Sequence, residues 1–294
     1  MVVNGEGEIT DRWIGYAGPE AWAASLLKAK ADPRTITAKR AAFDKQPTAE
    51  LAASLANDAA CEFDYHGAVN YFRQARSLDP AHAEEYTEDI LTNMYYGARS
   101  KAFSFDEIAT EADLALALPT TTMEQKENLA AMVSGMARSM GTPERAVPYI
   151  KAVLQEDAGE DGPSETRLSL MVENALLVEH DEAKAVNLRK RLLPEGWQDD
   201  PSQLNSFAWW CFQNGVDLAE AEKLALHGAE LATDDGERAN ILDTAAEISA
   251  ARGDHEVALE HARRAAELAP DKDYFQEQVQ RFTKEAAQGA KGAD

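Results

Sequence analysis

The sequence predicts an all-α fold, an array of about six antiparallel helix hairpins preceded by a short β-hairpin and one helix. Three observations predict it. Aromatics are only 7% of the 294 residues and alanine is abundant, which suits closely packed helices better than an aromatic-rich sandwich. Two segments align without gaps, GAVNYFRQARSLDP at 67–80 and VALEHARRAAELAP at 257–270, with packing residues at helical spacing and a closing proline. Apolar periodic stretches also recur in pairs joined by short turns, with Gly141, Gly215 and Gly253 at three of the turns.

Taken in order, Val2-Val3 and 8–16 flank the turn Asn4-Gly5-Glu6-Gly7 and read as two strands. A helix over 19–30 opens on proline and carries Trp22, Ala23, Leu26 and Leu27 on one side. The helix pairs then read as 49–62 with 67–80, 84–102 with 104–118, and 123–140 with 142–155. They continue as 165–179 with 181–193, 202–212 with 218–232, and 237–252 with 257–270. The repeat spacing is near 34 to 40 residues.

These residues resemble the tetratricopeptide repeat, whose consensus has a small residue at position 8, Ala at 20, an aromatic at 24, Ala at 27 and Pro at 32. Counted from Ala49, those positions hold Ala56, Ala68, Phe72, Ala75 and Pro80. Counted from Ala239, they hold Ala246, Ala258, Ala262, Ala265 and Pro270, with Gly253 at the turn. The hairpin counted from Ser202 departs from the pattern, with Gly228 at 27 and Thr233 at 32, and the repeats near 90 and 165 are degenerate. Residues 1–31 resemble the last two strands and final helix of a thioredoxin fold, without its CxxC half. The implied organisation is a thioredoxin-fold remnant over 1–31 and a repeat array over 32–290.

Charge and chemistry narrow the function. With 29 Lys+Arg against 52 Asp+Glu, the net charge of −23 repels phosphate backbones and anionic lipid, so neither nucleic acid nor membrane is an expected partner. No run approaches the roughly 18 apolar residues of a membrane span, and the first ten residues lack the pattern of a signal peptide. A cytoplasmic protein is expected, or a periplasmic one if an upstream signal segment exists. Cys61 and Cys211 make neither a CxxC pair nor a zinc quartet. The six histidines show no HxxxH or HExxH spacing, and the acidic loop 156–162 lacks the alternating order of a calcium loop. Glycine-rich phosphate cradles and the GxSxG elbow are absent. No metal, no cofactor and no catalytic residue is therefore expected.

In tetratricopeptide arrays, positions 2, 5, 9 and 12 of each first helix face a concave groove. The resemblance places Glu50, Ala53, Asn57 and Ala60 there in one repeat, and Asn240, Asp243, Glu247 and Ala250 in the last. In the middle repeat it places Asn128, Ala131, Gly135 and Arg138. Chaperone-docking members carry Lys at 5 and Asn at 9; here Ala53 replaces the lysine and only Asn57 matches. Trp209 falls at packing position 8 and Trp210 at exposed position 9, which makes Trp210 the aromatic ligand candidate. Asn57, Trp210, Asp243 and Glu247 are thus the expected contacts of a non-enzymatic scaffold that binds a basic or amphipathic protein segment. Two alternatives stand beside it. One is the client-recruiting part of a thioredoxin-like oxidoreductase whose catalytic half lies upstream of Met1; the other is a carbohydrate-active helical toroid, which needs paired carboxylates.

Overall fold

The computed structural model describes residues 1–13, 18–118, 121–157 and 162–291. By compactness the chain divides into two units, Met1–Leu170 and Met171–Asp294.

The first unit opens with an antiparallel pair, β1 (Val2–Val3) and β2 (Ile9–Asp11), in which Val3 faces Ile9. Asn4 organises the turn, its Oδ1 accepting the backbone N–H of Glu6 at 3.0 Å and of Glu8 at 2.9 Å. The second strand was expected to reach 16; it ends at Asp11, and 14–16 lie outside the described residues. Helix α1 (Pro19–Ala31) starts on proline as expected, but Trp22 and Leu27 are exposed and only Ala29 is buried. Its apolar side is therefore largely exposed.

Helix α2 (Ile36–Lys45), capped by Thr35, adds an element that periodicity did not single out. It ties the β-hairpin to the first repeat. Lys39, buried in α2, places its Nζ 3.0 Å from Ser54 Oγ and 3.4 Å from Asp11 Oδ2, while Arg12 pairs with Asp58 and Glu62. A buried ammonium persists only with such partners.

Next come α3 (Ala49–Cys61), α4 (Tyr65–Leu78), a short 3₁₀ turn over Pro80–His82, α5 (Ala83–Ala98) and α6 (Phe105–Leu116). The unit continues with α7 (Met123–Ser139), a 3₁₀ turn Pro143–Ala146 and α8 (Val147–Leu154). Helix α9 (Glu165–Asn174) crosses the boundary between the units and runs into a π-helical turn, Ala175–Glu179. The second unit then contains α10 (Glu182–Lys190), α11 (Pro201–Asn214), α12 (Leu218–Leu231), α13 (Asp235–Ala251), α14 (His255–Leu268) and α15 (Asp273–Lys291). From α3 to α14 these make six helix–turn–helix pairs among the described residues. Within the units, first helices of successive pairs also touch, α5 with α7 and α11 with α13. The fold is all-α apart from the β-hairpin, and is of the tetratricopeptide-like helical-repeat kind. No described helix is long and apolar enough to cross a membrane.

Side chains start the helices. Thr48, Asp64, Asp200 and Asp234 accept a backbone N–H from the third residue onward, and Ser104–Glu107 and Thr122–Gln125 form reciprocal capping boxes. One repeated device closes the first helix of each pair. In five turns a residue one to three positions past the helix is left-handed, at Phe63, Lys101, Gly141, Gly215 and Gly253, and the next N–H returns to the carbonyl five residues back. These bonds run Asp64→Ala59, Ala102→Gly97, Thr142→Ala137, Val216→Cys211 and Asp254→Ser249, at 2.9 to 3.1 Å. In the sixth turn His180 is left-handed and the π turn lengthens the return, Asp181→Ala175, at 2.9 Å.

Alanines then permit the crossings. Ala56, Ala68 and Ala75 are fully buried in the first pair, as are Ala246, Ala258 and Ala265 in the last, at the positions expected from the repeat, and Ala52 and Ala245 are buried beside them. Carboxylate–guanidinium pins join successive elements. Glu111 of α6 accepts from Arg73 at 2.7 Å and Arg76 at 2.6 Å of α4. Glu127 of α7 accepts from Arg167 at 3.0 Å and from Ser164 at 2.6 Å, and Arg167 also donates to the carbonyls of Val153 and Glu156. In the second unit Glu222 of α12 receives Ser249 Oγ at 2.5 Å and Arg252, and the buried His261 ring stands 3.9 Å away with both nitrogens unpaired.

Two outcomes follow from these pins. Arg167→Ala leaves the buried Glu127 without its cation, and should cost about 3–5 kcal/mol in denaturant melts, whereas Asp106→Ala, on an exposed pair with Arg145, should cost less than about 1. The second concerns pH. Burial, and then Arg264, lower the His261 pKa, with Glu260 opposing. The unfolded chain therefore takes up a proton near the ordinary value of 6.5 that the folded chain refuses. Stability should be full above that value and fall as pH drops below it, with Glu222 facing the ring limiting the loss. In scanning calorimetry at neutral pH and at about pH 5.5, His261→Leu should flatten this fall.

Candidate functional site

The four expected contacts are divided between the two units. Asn57 lies half-buried on α3 in the first unit, and its Nδ2 donates to the Ala53 carbonyl of its own helix at 3.0 Å. Trp210, Asp243 and Glu247 lie in the second unit, and there the structure corrects the expectation.

Trp210 is half-buried, its ring stacked on buried Phe207 at 5.9 Å between centroids and faced by the Arg189 guanidinium at 5.8 Å. Trp209 is the exposed member, with 37% of its surface accessible, tilted against Phe212 at 4.9 Å. The error was one of register. Leu204, Phe207, Ala208 and Cys211 are the buried residues of α11, so its packing frame starts at Pro201, while Ala221, Ala225 and Gly228 of α12 keep the frame counted from Ser202. The turn holds one extra residue and two left-handed ones, Gly215 and Asp217, where the last repeat needs Gly253 alone. Ten positions separate Cys211 from Ala221, against nine between Ser249 and Ala258.

Asp243 and Glu247 are brought together on α13, but as the seat of α15 rather than as an open groove. Tyr274 Oη donates to Asp243 Oδ2 at 2.8 Å, and Arg281 pairs with Glu247. Burial raises both carboxyl pKa values; Arg281 works against this at each, and the Tyr274 hydrogen bond works against it at Asp243. The Tyr274 hydroxyl is pushed up to about 12, first by burial and then by Asp243. Helix α15 is a further element that was expected only as the tail of the array, and it occupies the face on which a ligand was expected.

A cleft lies in the first unit, between α5 and α7, where the sequence marked only Asn128 of the middle repeat. It encloses about 250 Å³. Leu91 of α5, Leu129 and Met132 of α7, and Ala115 and Leu118 at the end of α6 supply an apolar lining. Thr121, Gln125 and Asn128 form its polar side, with Gln125 Nε2 donating to Glu84 at 3.1 Å. Glu88 stands exposed on the rim with no hydrogen bond or ion pair among the described residues. The available signal was the 84, 88, 91, 95 spacing on one face of α5, hidden because this repeat departs from the consensus. A second cavity of about 430 Å³, in the second unit, is polar and of mixed charge, with Asn205, Asn240, Glu237 and Lys272 among its lining residues.

Neither cysteine is activated. Burial raises the Cys61 thiol, and it pushes Cys211 up to about 12, the reverse of what a nucleophilic thiolate requires. Among the described residues no cluster of His, Cys, Asp and Glu is placed to hold a metal ion.

No family model and no curated protein matches the sequence. Among solved structures, the chain is similar in fold to one in the crystal structure of the APC/C hetero-tetramer Cut9-Hcn1, with a TM-score of 0.45 and 14% sequence identity. The match covers 83% of this chain and 45% of that one, so this chain spans less than half of its length.

Proposed function

We propose that this protein is a binding scaffold, and that the α5–α7 cleft receives an apolar anchor side chain from a helical segment of a partner protein. The observation that carries the reading is the lining: Leu91, Leu118, Leu129 and Met132 around about 250 Å³, a volume that suits one large aliphatic or aromatic side chain. Met132 adds adaptability, since its thioether chain repacks around different anchors. Glu88 on the rim, within a chain of net charge −23, favours a segment whose polar face is basic. The contacts expected at Asp243 and Glu247 are not part of this site. The reading assigns no catalytic step to the chain.

A partner retained by the wild-type chain and then purified tests it. Met132→Lys puts a charge where the anchor sits, and should weaken binding by about tenfold or more, since burying such a side chain is worth about 1.5–3 kcal/mol. The melting temperature should move by only a few degrees, because Met132 is half-buried. Equal affinity of the variant and wild type in calorimetry would exclude the cleft.

A further inference from the structure

A second surface of the first unit carries its own chemistry. Four rings touch in series: Phe63 and Tyr65 at 6.4 Å between centroids, Tyr65 and Tyr96 at 6.3 Å, and Tyr96 and Tyr95 at 5.8 Å. Phe63 is 74% exposed, Tyr96 57% and Tyr95 44%, in a chain whose other phenylalanines are mostly buried. Phe63 is also the left-handed residue of its turn, with φ 62°. Glycine holds the same place in the turns at Gly141 and Gly253, with φ 74° and 86°. A side chain there costs roughly 1–2 kcal/mol, and an exposed ring regains little of that inside the fold. The strain holds an aromatic ring out in water.

We propose that this ladder docks a proline-rich segment of a partner protein, with a basic residue beyond the end of the proline run nearest Phe63. Among the described residues the hydroxyls of Tyr65, Tyr95 and Tyr96 make no hydrogen bond, so the ladder offers three free donors beside four apolar faces. A polyproline II strand matches both features, because its carbonyls have no internal partners and its pyrrolidine rings stack on aromatic faces. An α-helix spends its carbonyls internally. Charge fixes the flank: Glu62 and Asp64 bracket Phe63, and Arg12 is shared between Glu62 and Asp58, so one cation serves two carboxylates while Asp64, among the described residues, accepts only the Gly67 N–H. This goes beyond the cleft reading, since none of the four rings lines the cleft.

Fluorescence polarisation with labelled deca-proline ending in two arginines is the direct test, against a Gly-Ser peptide with the same ending and an amphipathic helical peptide. Wild type should bind the prolyl peptide at least about tenfold more tightly than either control, more weakly as salt rises. Phe63→Gly should lose about tenfold in affinity while its melting temperature stays equal or rises, a combination that unfolding cannot produce. A Tyr65→Phe, Tyr96→Phe double variant keeps the rings and should lose about threefold or more, the worth of the hydroxyl donors. Met132→Lys should bind the prolyl peptide as wild type does, so failure of the cleft reading and failure of this one are separable. Equal binding of the prolyl and Gly-Ser peptides, preference for the helical peptide, full affinity in Phe63→Gly, or loss in Met132→Lys would each overturn the proposal.

Discussion

A single left-handed residue at the end of each first helix governs how these helix pairs are built. It stops the helix, turns the last carbonyls inward to meet the following N–H groups, and sets how many positions later the second helix begins to pack. With one such residue, the small buried residues that flank the turn, Ala59 and Ala68 of α3 and α4 or Ser249 and Ala258 of α13 and α14, lie nine positions apart. With two, as at Gly215 and Asp217, the second helix begins to pack one position later, Ala221 lying ten positions after Cys211.

The acidic composition takes its meaning from where the few cations are used. Arg73, Arg76 and Arg167 in the first unit, and Arg252 and Arg281 in the second, each pair with a carboxylate of a different helix. Guanidinium suits this work because it stays charged and donates in several directions; Arg167 meets Glu127 and two carbonyls at once. Cations committed to joining helices do not offset carboxylates at the surface. The surface is consequently more one-signed than a count of 29 against 52 suggests.

Legibility in the sequence followed this division between local and tertiary causes. The helix pairs with alanine at the crossings and proline after the end were readable, because each device acts within a few residues: Ala68, Phe72, Ala75 and Pro80 say nearly the same thing as Ala258, Ala262, Ala265 and Pro270. Helix α2 was hidden because its burial rests on Lys39 and Phe43, and a buried lysine breaks the apolar pattern. Asp243 and Glu247 were expected to face an open groove, but their availability depended on α15, which packs there through Tyr274 and Arg281. The α5–α7 cleft needs three elements at once, so no single window of sequence shows it.

The degenerate repeat near 90 contributes to both candidate surfaces, and the reason is physical. Where small residues let two helices close on one another, little is left between them to bind. Helix α5 instead points Leu91 into the cleft and carries Tyr95 and Tyr96 outward four and five residues later, so one helix serves both the apolar pocket and the aromatic ladder. Its partner in the ladder, Phe63, keeps a strained backbone where the matching turn of the last repeat uses glycine. Departures from local optimum that the fold does not repay internally are where an external ligand has something to repay.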